Sequence, residues 1–405
     1  MSERIQQEES PMLYNHTCAP LSELDMEIVR QIPPAGDWRD LPERTIAKSA
    51  RLKQIYNSGG RTTYYGRLSG DMPSYTINTY FNRPGNGTFI HPVQDRLISL
   101  REAARLQSFP DRYRFLGSLS SRFKQIGNAV PPLLAKALAE RIKKGRCIDL
   151  FCGAGGLSLG LVQSGHKVIV ASDFNQHMCE TYKNNHKNTS VVQADLSCPD
   201  ESKTLVDRIE IELKGQTLNL LAGGPPCQGF SPAGKWSDSD ERNALLFGVL
   251  DFIHHLMPEN ILFENVPGIR WMKHGTILES FLQKLNSLGY HTQLLLLKAE
   301  EFCVPQRRRR VFILGNRNEA LFEKPKALLS AITHGRTKGD AKTESSGFPP
   351  PISVSEAIGD LPQIKSGGGE DAVSYDSAWL NSDYQRYMRG MISLESLLYK
   401  RAEQG

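Results

Sequence analysis

Two rhythms of apolar and polar residues divide the chain. From Arg146 onward, short apolar runs alternate with stretches whose apolar residues recur at helical spacing. The first kind reads as buried strands and the second as amphipathic helices. CIDLF, KVIVAS, SVVQAD, LNLLAG, NILFENV, TQLLLL and RRVFILG are the strand candidates. Between them helices are predicted over 157–164, 176–184, 202–213, ALLFGVLDFIHHLM and 277–288. This alternation predicts an α/β fold with a doubly wound, mostly parallel, Rossmann-like sheet. Ligands in such folds gather at the C-terminal ends of the strands.

The first 145 residues have no such alternation. SLREAARLQSFP opens with a capping box, Ser99 as N-cap and Glu102 three residues on. PPLLAKALAERIKKG reads as one helix running to Lys144, with Pro at its start and Gly145 beyond its end. The stretch 44–83 is rich in Gly, Tyr and Arg without a period, which predicts a small irregular domain. Residues 331–350 read as a polar surface loop. Beyond them, ISVSEAIGDLP carries a short helix signal before the Gly-rich SGGGED.

Composition narrows the class. Of 405 residues, 39% are hydrophobic and 23% charged, which suits a soluble globular protein. No apolar run reaches the roughly 18 residues of a membrane span, and MSERIQQEES lacks the apolar core of a secretory signal. The seven cysteines include no CxxC pair or zinc-spaced cluster, so reduced thiols in a cytoplasm and no metal are expected. Charge is uneven. Residues 1–145 hold 21 Lys and Arg against 14 Asp and Glu, a net +7, while the whole chain carries +5. A basic first third suits a polyanion partner.

Candidate chemistry sits at the predicted strand ends. GAGG after IDLF lets backbone approach a ligand closely, yet it matches neither GxGxxG nor a P-loop. Asp173 and Asp195 end the next two strands, where a carboxylate can accept from ribose hydroxyls or sit near an adenine edge. Phe151 and Phe174 could stack on a flat base. The set suits an adenosyl cofactor without a phosphate grip, such as S-adenosylmethionine. Either acid alone reads equally well as an ordinary helix cap. In GGPPCQGFS, two prolines stiffen the approach to Cys227, a candidate nucleophile. ENV offers Glu264. In QRRRR, an extended run would point Arg308 and Arg310 to one face, and one of the arginines is expected to hold Glu264.

DLFCGAGG, GGPPCQGFS, ENV and QRRRR, in this order, resemble the motifs of cytosine-C5 DNA methyltransferases. TINT, RLISLREAARLQSFPD and QIGNAVPP resemble the last two motifs of that family, yet here they come first. The chain therefore resembles a circularly permuted member. The implied division is 1–95 as target-recognition region and small domain, and 96–145 as motifs completing the catalytic domain. Residues 146–330 then form the cofactor-binding catalytic domain, and 331–405 a loop and tail leading back to the small domain.

The resemblance implies Cys227 as nucleophile, Glu264 as the acid at N3 of cytosine, Arg308 on the ring's O2 edge positioning Glu264, and Arg310 ordering the loop. It implies S-adenosylmethionine contacts from Phe151, Gly153, Gly155, Gly156, Asp173, Phe174, Asp195, Leu196, Pro226, Asn128 and Val130. Asn128 would bring the N-terminal piece to the glycine loop. Double-stranded DNA is the implied partner, touched by Gln228, Ser231 and Thr76, with Arg44, Arg61 and Arg67 as candidates in the recognition segment. The implied setting is a prokaryotic cytoplasm and a cognate restriction endonuclease that forms no stable complex. Two other readings compete: a transfer-RNA cytosine-5 methyltransferase, and a DNA-binding regulator that kept the fold without catalysis.

Overall fold

The computed structural model describes residues 12–61, 63–226, 241–318, 321–332 and 347–404, the side chains of 241–244 and 404 excepted. The chain divides into two compact units. One comprises residues 129–299 and 309–326, the other 1–128, 300–308 and 327–405. Strands and α-helices are numbered in chain order.

The 129–326 unit is built on a seven-stranded sheet in the order β6-β5-β4-β7-β8-β10-β9. These strands are β4 (Arg146–Leu150), β5 (Lys167–Asp173), β6 (Ser190–Gln193), β7 (Leu220–Gly223), β8 (Asn260–Asn265), β9 (His291–Lys298) and β10 (Arg309–Asn316). β4 pairs in parallel with both β5 and β7, so the strand order reverses there. β10 runs antiparallel to β8 and to β9. Helices α7 (Gly156–Gln163), α8 (Gln176–Asn185), α9 (Pro199–Leu213), α10 (Glu241–Leu256) and α11 (Thr276–Ser287) link the strands. Each coincides with a predicted helix to within a few residues. Strands such as Leu220–Gly223 are apolar on both faces because helices cover both. Ile148, Leu221, Ile253, Phe263 and Phe281 anchor the core.

Helix α6 (Pro132–Ala139) also belongs to this unit. It stops at Ala139 rather than running on to Lys144. Arg141 and Ile142 donate to carbonyls only three residues back, and this tightening winds the helix down. α6 packs on α7 so closely that a Cβ on Gly160 would lie 2.5 Å from the Ala135 Cβ and the Pro132 oxygen.

In the other unit, β1 (Met12–Thr17) pairs antiparallel with β11 (Gly369–Ser374), Met12 opposite Ser374 and Thr17 opposite Gly369. β2 (Gly66–Arg67) and β3 (Thr88–Ile90) form a short parallel pair. The remaining helices are α1 (Glu23–Gln31), α2 (Glu43–Ile46), α3 (Ala50–Asn57), α4 (Leu100–Leu106), α5 (Leu119–Asn128), α12 (Val354–Ile358), α13 (Asp383–Met388) and α14 (Leu394–Gln404). α4 carries the expected capping box, Ser99 and Glu102 each bonding the other's backbone N–H. This unit buries charge in pairs: Glu102 with Arg96, Arg105 with Asp111 and Asp360, and Arg389 with Asp111. Among the described residues no helix is long and apolar enough to cross a membrane.

Candidate active site

The glycine loop follows β4, where the strand order reverses, and so lies at the crevice that open α/β sheets use for ligands. Phe151, Gly153 and Gly155 all have positive φ (57°, 52° and 92°), which folds the turn tightly before α7 begins at Gly156. Among the described residues, a Cβ on Gly153 would meet nothing within 4 Å, which leaves room on the loop's outer side. Asp173 ties the loop to β5. One carboxylate oxygen accepts from Gly153 N–H and the other from Asn175 N–H, both at 2.9 Å. Burial raises the Asp173 pKa, and these two bonds oppose the rise. Phe174, next along, is 65% exposed, so its ring is free to take a flat group.

Asp195 behaves differently. One oxygen accepts from Ser197 N–H and Oγ at 2.9 and 2.7 Å, and these bonds lower its pKa. Its described role is thus the local cap that such acids often serve. Leu196 and Pro226 are half-buried.

Beneath the loop lies a buried polar chain that sequence reasoning missed. Tyr182 OH donates to Ser158 Oγ, and Ser158 donates to Asp149, each at 2.6 Å. Asp149 is fully buried, and burial, helped by nearby Asp173, pushes its carboxyl up to about 7. An acid inside the apolar run CIDLF was the one available signal. Its partners sit on α7 and α8, beyond any local pattern.

Glu264, on β8, forms an ion pair with Arg310 on β10: Oε1 and Nε are 2.7 Å apart and both side chains are 12% exposed. Burial lowers the Arg310 pKa and Glu264 pulls it back up. The exit of β7 is close by, since a Cβ on Gly224 would lie 3.8 Å from Glu264 Oε2. Asn265 Nδ2 donates to Pro225 O at 3.3 Å and fixes the start of the Pro-Pro loop. Cys227, Gln228 and Ser231 lie outside the described residues. Burial pushes the thiols of Cys18, Cys147, Cys152 and Cys179 up, the last to about 11, so these four stay protonated at neutral pH.

Arg308 belongs to the other unit, where it donates to Ile77 O at 2.9 Å and Gly127 O at 3.1 Å. The strand itself begins at Arg309. Gln306 is likewise buried. It accepts from Ile77 N–H and donates to Leu106 O and the Gln107 side chain. Thr76 Oγ1 donates to Arg307 O at 2.7 Å.

Arg67 is 5% exposed and its guanidinium donates to the carbonyls of Val29, Ile32, His91 and Gln94 and pairs with Asp95. A side chain so fully bonded braces its own unit and is not available to a base edge. Arg44, Arg61 and Asn128 are exposed and Val130 is buried.

The family model for C-5 cytosine-specific DNA methylase matches residues 9–144 and 145–392. The chain belongs to that family. Among curated relatives, it is 33% identical over 255 residues to the type II methyltransferase M.AgeI of Thalassovita gelatinovora, covering 60% of this chain and 58% of that one. It is 31% identical over 245 residues to the type II methyltransferase M.DdeI of Desulfomicrobium norvegicum, covering 60% and 54%. The chain thus spans little more than half the length of these relatives. Among solved structures, the Dnmt2 methyltransferase of S. pombe is similar at 26% identity over 44% of this chain and 52% of that one, with a TM-score of 0.35.

Proposed function

We propose that the chain is a DNA (cytosine-5)-methyltransferase acting on a cytosine flipped out of a duplex, with S-adenosylmethionine as methyl donor. The observation that carries this reading is the Glu264–Arg310 pair, set beside the exit of β7 in a chain of this family. Cytosine C5 is a weak nucleophile until a group adds at C6. Cys227 is assigned that addition, forming an S–C6 bond. Electron density then moves toward N3, where Glu264 supplies the proton and hydrogen bond, with Arg310 fixing its carboxyl. Once C5 carries the methyl group, a base from solvent takes its proton, the C–H electron pair re-forms the C5–C6 double bond, the S–C6 bond breaks to release the Cys227 thiolate, and N3 returns its proton to Glu264.

The residues of the glycine loop fit the cofactor. Gly153 has room on its outer side, Asp173 anchors the loop and Phe174 offers an exposed ring. When bound, S-adenosylmethionine would supply an electrophilic methyl group. Gly153, Gly155, Gly156, Asp173 and Phe174 would hold it, and Pro226 would border it. Flipping the base costs a few kcal/mol of stacking and pairing. Arg44 and Arg61 are the remaining basic candidates for target recognition.

We also infer a circular permutation, supported by the family match in two segments that meet at 144/145 and by α6 packing on α7. The type II designation of the relatives supports work alongside a restriction endonuclease. Incubating the protein with labelled S-adenosylmethionine and mixed-sequence duplex DNA tests the reading. Label in 5-methylcytosine is expected, and its absence from every duplex overturns the proposal.

A further inference from the structure

Eight arginines are buried among the described residues: Arg67, Arg96, Arg101, Arg105, Arg307, Arg308, Arg389 and Arg401. Seven have anionic or carbonyl partners. Arg96, Arg105, Arg389 and Arg401 pair with carboxylates. Arg67, Arg101 and Arg308 donate to two or more backbone carbonyls. Arg307 is the exception. It is 8% exposed, yet its guanidinium makes no ion pair or hydrogen bond among the described residues, and its Nε is buried without a partner. Among the described residues it instead stacks on a ring: the guanidinium carbon lies 3.8 Å from the centroid of Tyr75, itself 39% exposed.

Removing a cation from water is costly unless an anion or acceptor replaces the water. A tyrosine face recovers only part of that cost. The backbone nevertheless fixes Arg307 firmly. Its N–H donates to Ser74 O at 2.8 Å, its carbonyl accepts from Thr76 Oγ1, and Ser74 N–H donates to Pro305 O at 3.0 Å. Two segments far apart in sequence are laced together, and they hold one unsatisfied cation on an aromatic plate.

We propose that the missing partner is a backbone phosphate of the substrate DNA, and that Arg307 on Tyr75 is a phosphate clamp. The proposal rests on the DNA-methyltransferase reading above. A planar guanidinium matches a phosphodiester in two hydrogen bonds, and its stacking on Tyr75 fixes the plane in advance. Arg307 immediately precedes Arg308 and stands three residues before Arg310, so a phosphate held there ties duplex binding to the arginine run. Arg307 positions the DNA and does not touch the reacting atoms.

The test compares wild type, Arg307→Gln, Arg307→Lys and Tyr75→Ala in duplex binding across a salt series. Loss of one phosphate contact lowers the slope of log K against log salt by about 0.9. That reduction is expected for Arg307→Gln, with affinity about tenfold weaker. Arg307→Lys should keep the slope and lose part of the affinity, while Tyr75→Ala weakens binding with the slope kept. Single-turnover methyl transfer at saturating DNA should remain within about threefold of wild type. The melting temperature of Arg307→Gln should equal or exceed that of wild type, because an unpaired buried charge is removed. An unchanged slope in Arg307→Gln, or a lower melting temperature with unchanged DNA binding, overturns the clamp. So does a loss confined to cofactor affinity, which would assign the arginine to the cofactor's carboxylate. If wild type itself methylates no duplex, the function proposed above fails instead.

Discussion

At the scale of single residues, neighbouring arginines have different work. Arg310 meets a carboxylate, Arg308 meets two carbonyls and Arg307 meets a ring. Glu264→Gln and Arg310→Ala are therefore expected to lower the single-turnover rate by about 10²–10⁴-fold with duplex affinity retained. Arg308→Ala should register first as a loss of stability. It strips the carbonyls of Ile77 and Gly127 of their donor, at about 1–3 kcal/mol for each group left buried and unbonded. Rapid-quench kinetics and urea melts of the three variants separate the two outcomes.

Two buried groups set opposite pH dependences. Burial lowers His91 from 6.5 to about 4, with Glu102 opposing and Arg96, Arg67 and His16 reinforcing the shift. Between those values the unfolded chain binds a proton that the folded unit refuses. Stability is therefore lost as pH falls from about 6.5 toward 4, by roughly 3 kcal/mol for this group. Asp149 has the reverse sign, since it keeps its proton up to about 7 when folded. Its contribution is present below the unfolded carboxylate value and lost as pH rises through 7. Urea melts from pH 4 to 8 should show the acid limb flattened by His91→Gln and the neutral limb flattened by Asp149→Asn.

Among elements, the contact of α6 with α7 is the most sharply defined. Gly160→Ala would set a methyl 2.5 Å from Ala135 Cβ and Pro132 O, two atoms that cannot both yield. A loss of about 1–3 kcal/mol is expected from the overpacking, readable as a lower urea midpoint at unchanged slope.

Elements were also where the sequence spoke most clearly. α7 through α11 were legible because each carries its own apolar period, and Ser99 with Glu102 announced α4 because a capping box is local. The surroundings of Arg308 and Arg67 were not legible, for the converse reason. Arg308 is fixed by carbonyls 231 and 181 residues away, and Arg67 by carbonyls on several separate segments. Local parity along QRRRR placed 308 and 310 together, but the strand starts between them, at Arg309. Motif spacing singled out Glu264 and the arginine run, and packing pairs Glu264 with Arg310.

For the whole molecule, the proposed permutation makes a direct prediction. A chain recut to begin at Gly145, with Met1 following Gly405 through a flexible linker, should fold and keep the activity of the parent. Circular dichroism and methyl incorporation measured side by side check it. A recut chain that fails to fold would mean that the junction at 144/145 has become structurally indispensable.

The pairing of β1 with β11 also fixes a timetable. Met12–Thr17 is made about 350 residues before its partner Gly369–Ser374. At roughly 5–20 residues per second, a nascent chain spends about 20–70 s with that strand edge unfilled. His16 waits similarly for Pro362 O, which its ring nitrogen meets at 2.8 Å. On the ribosome, the unit carrying Thr76 and Arg307 stays incomplete until Gly369–Ser374 has emerged, so whatever that unit does must wait for this strand.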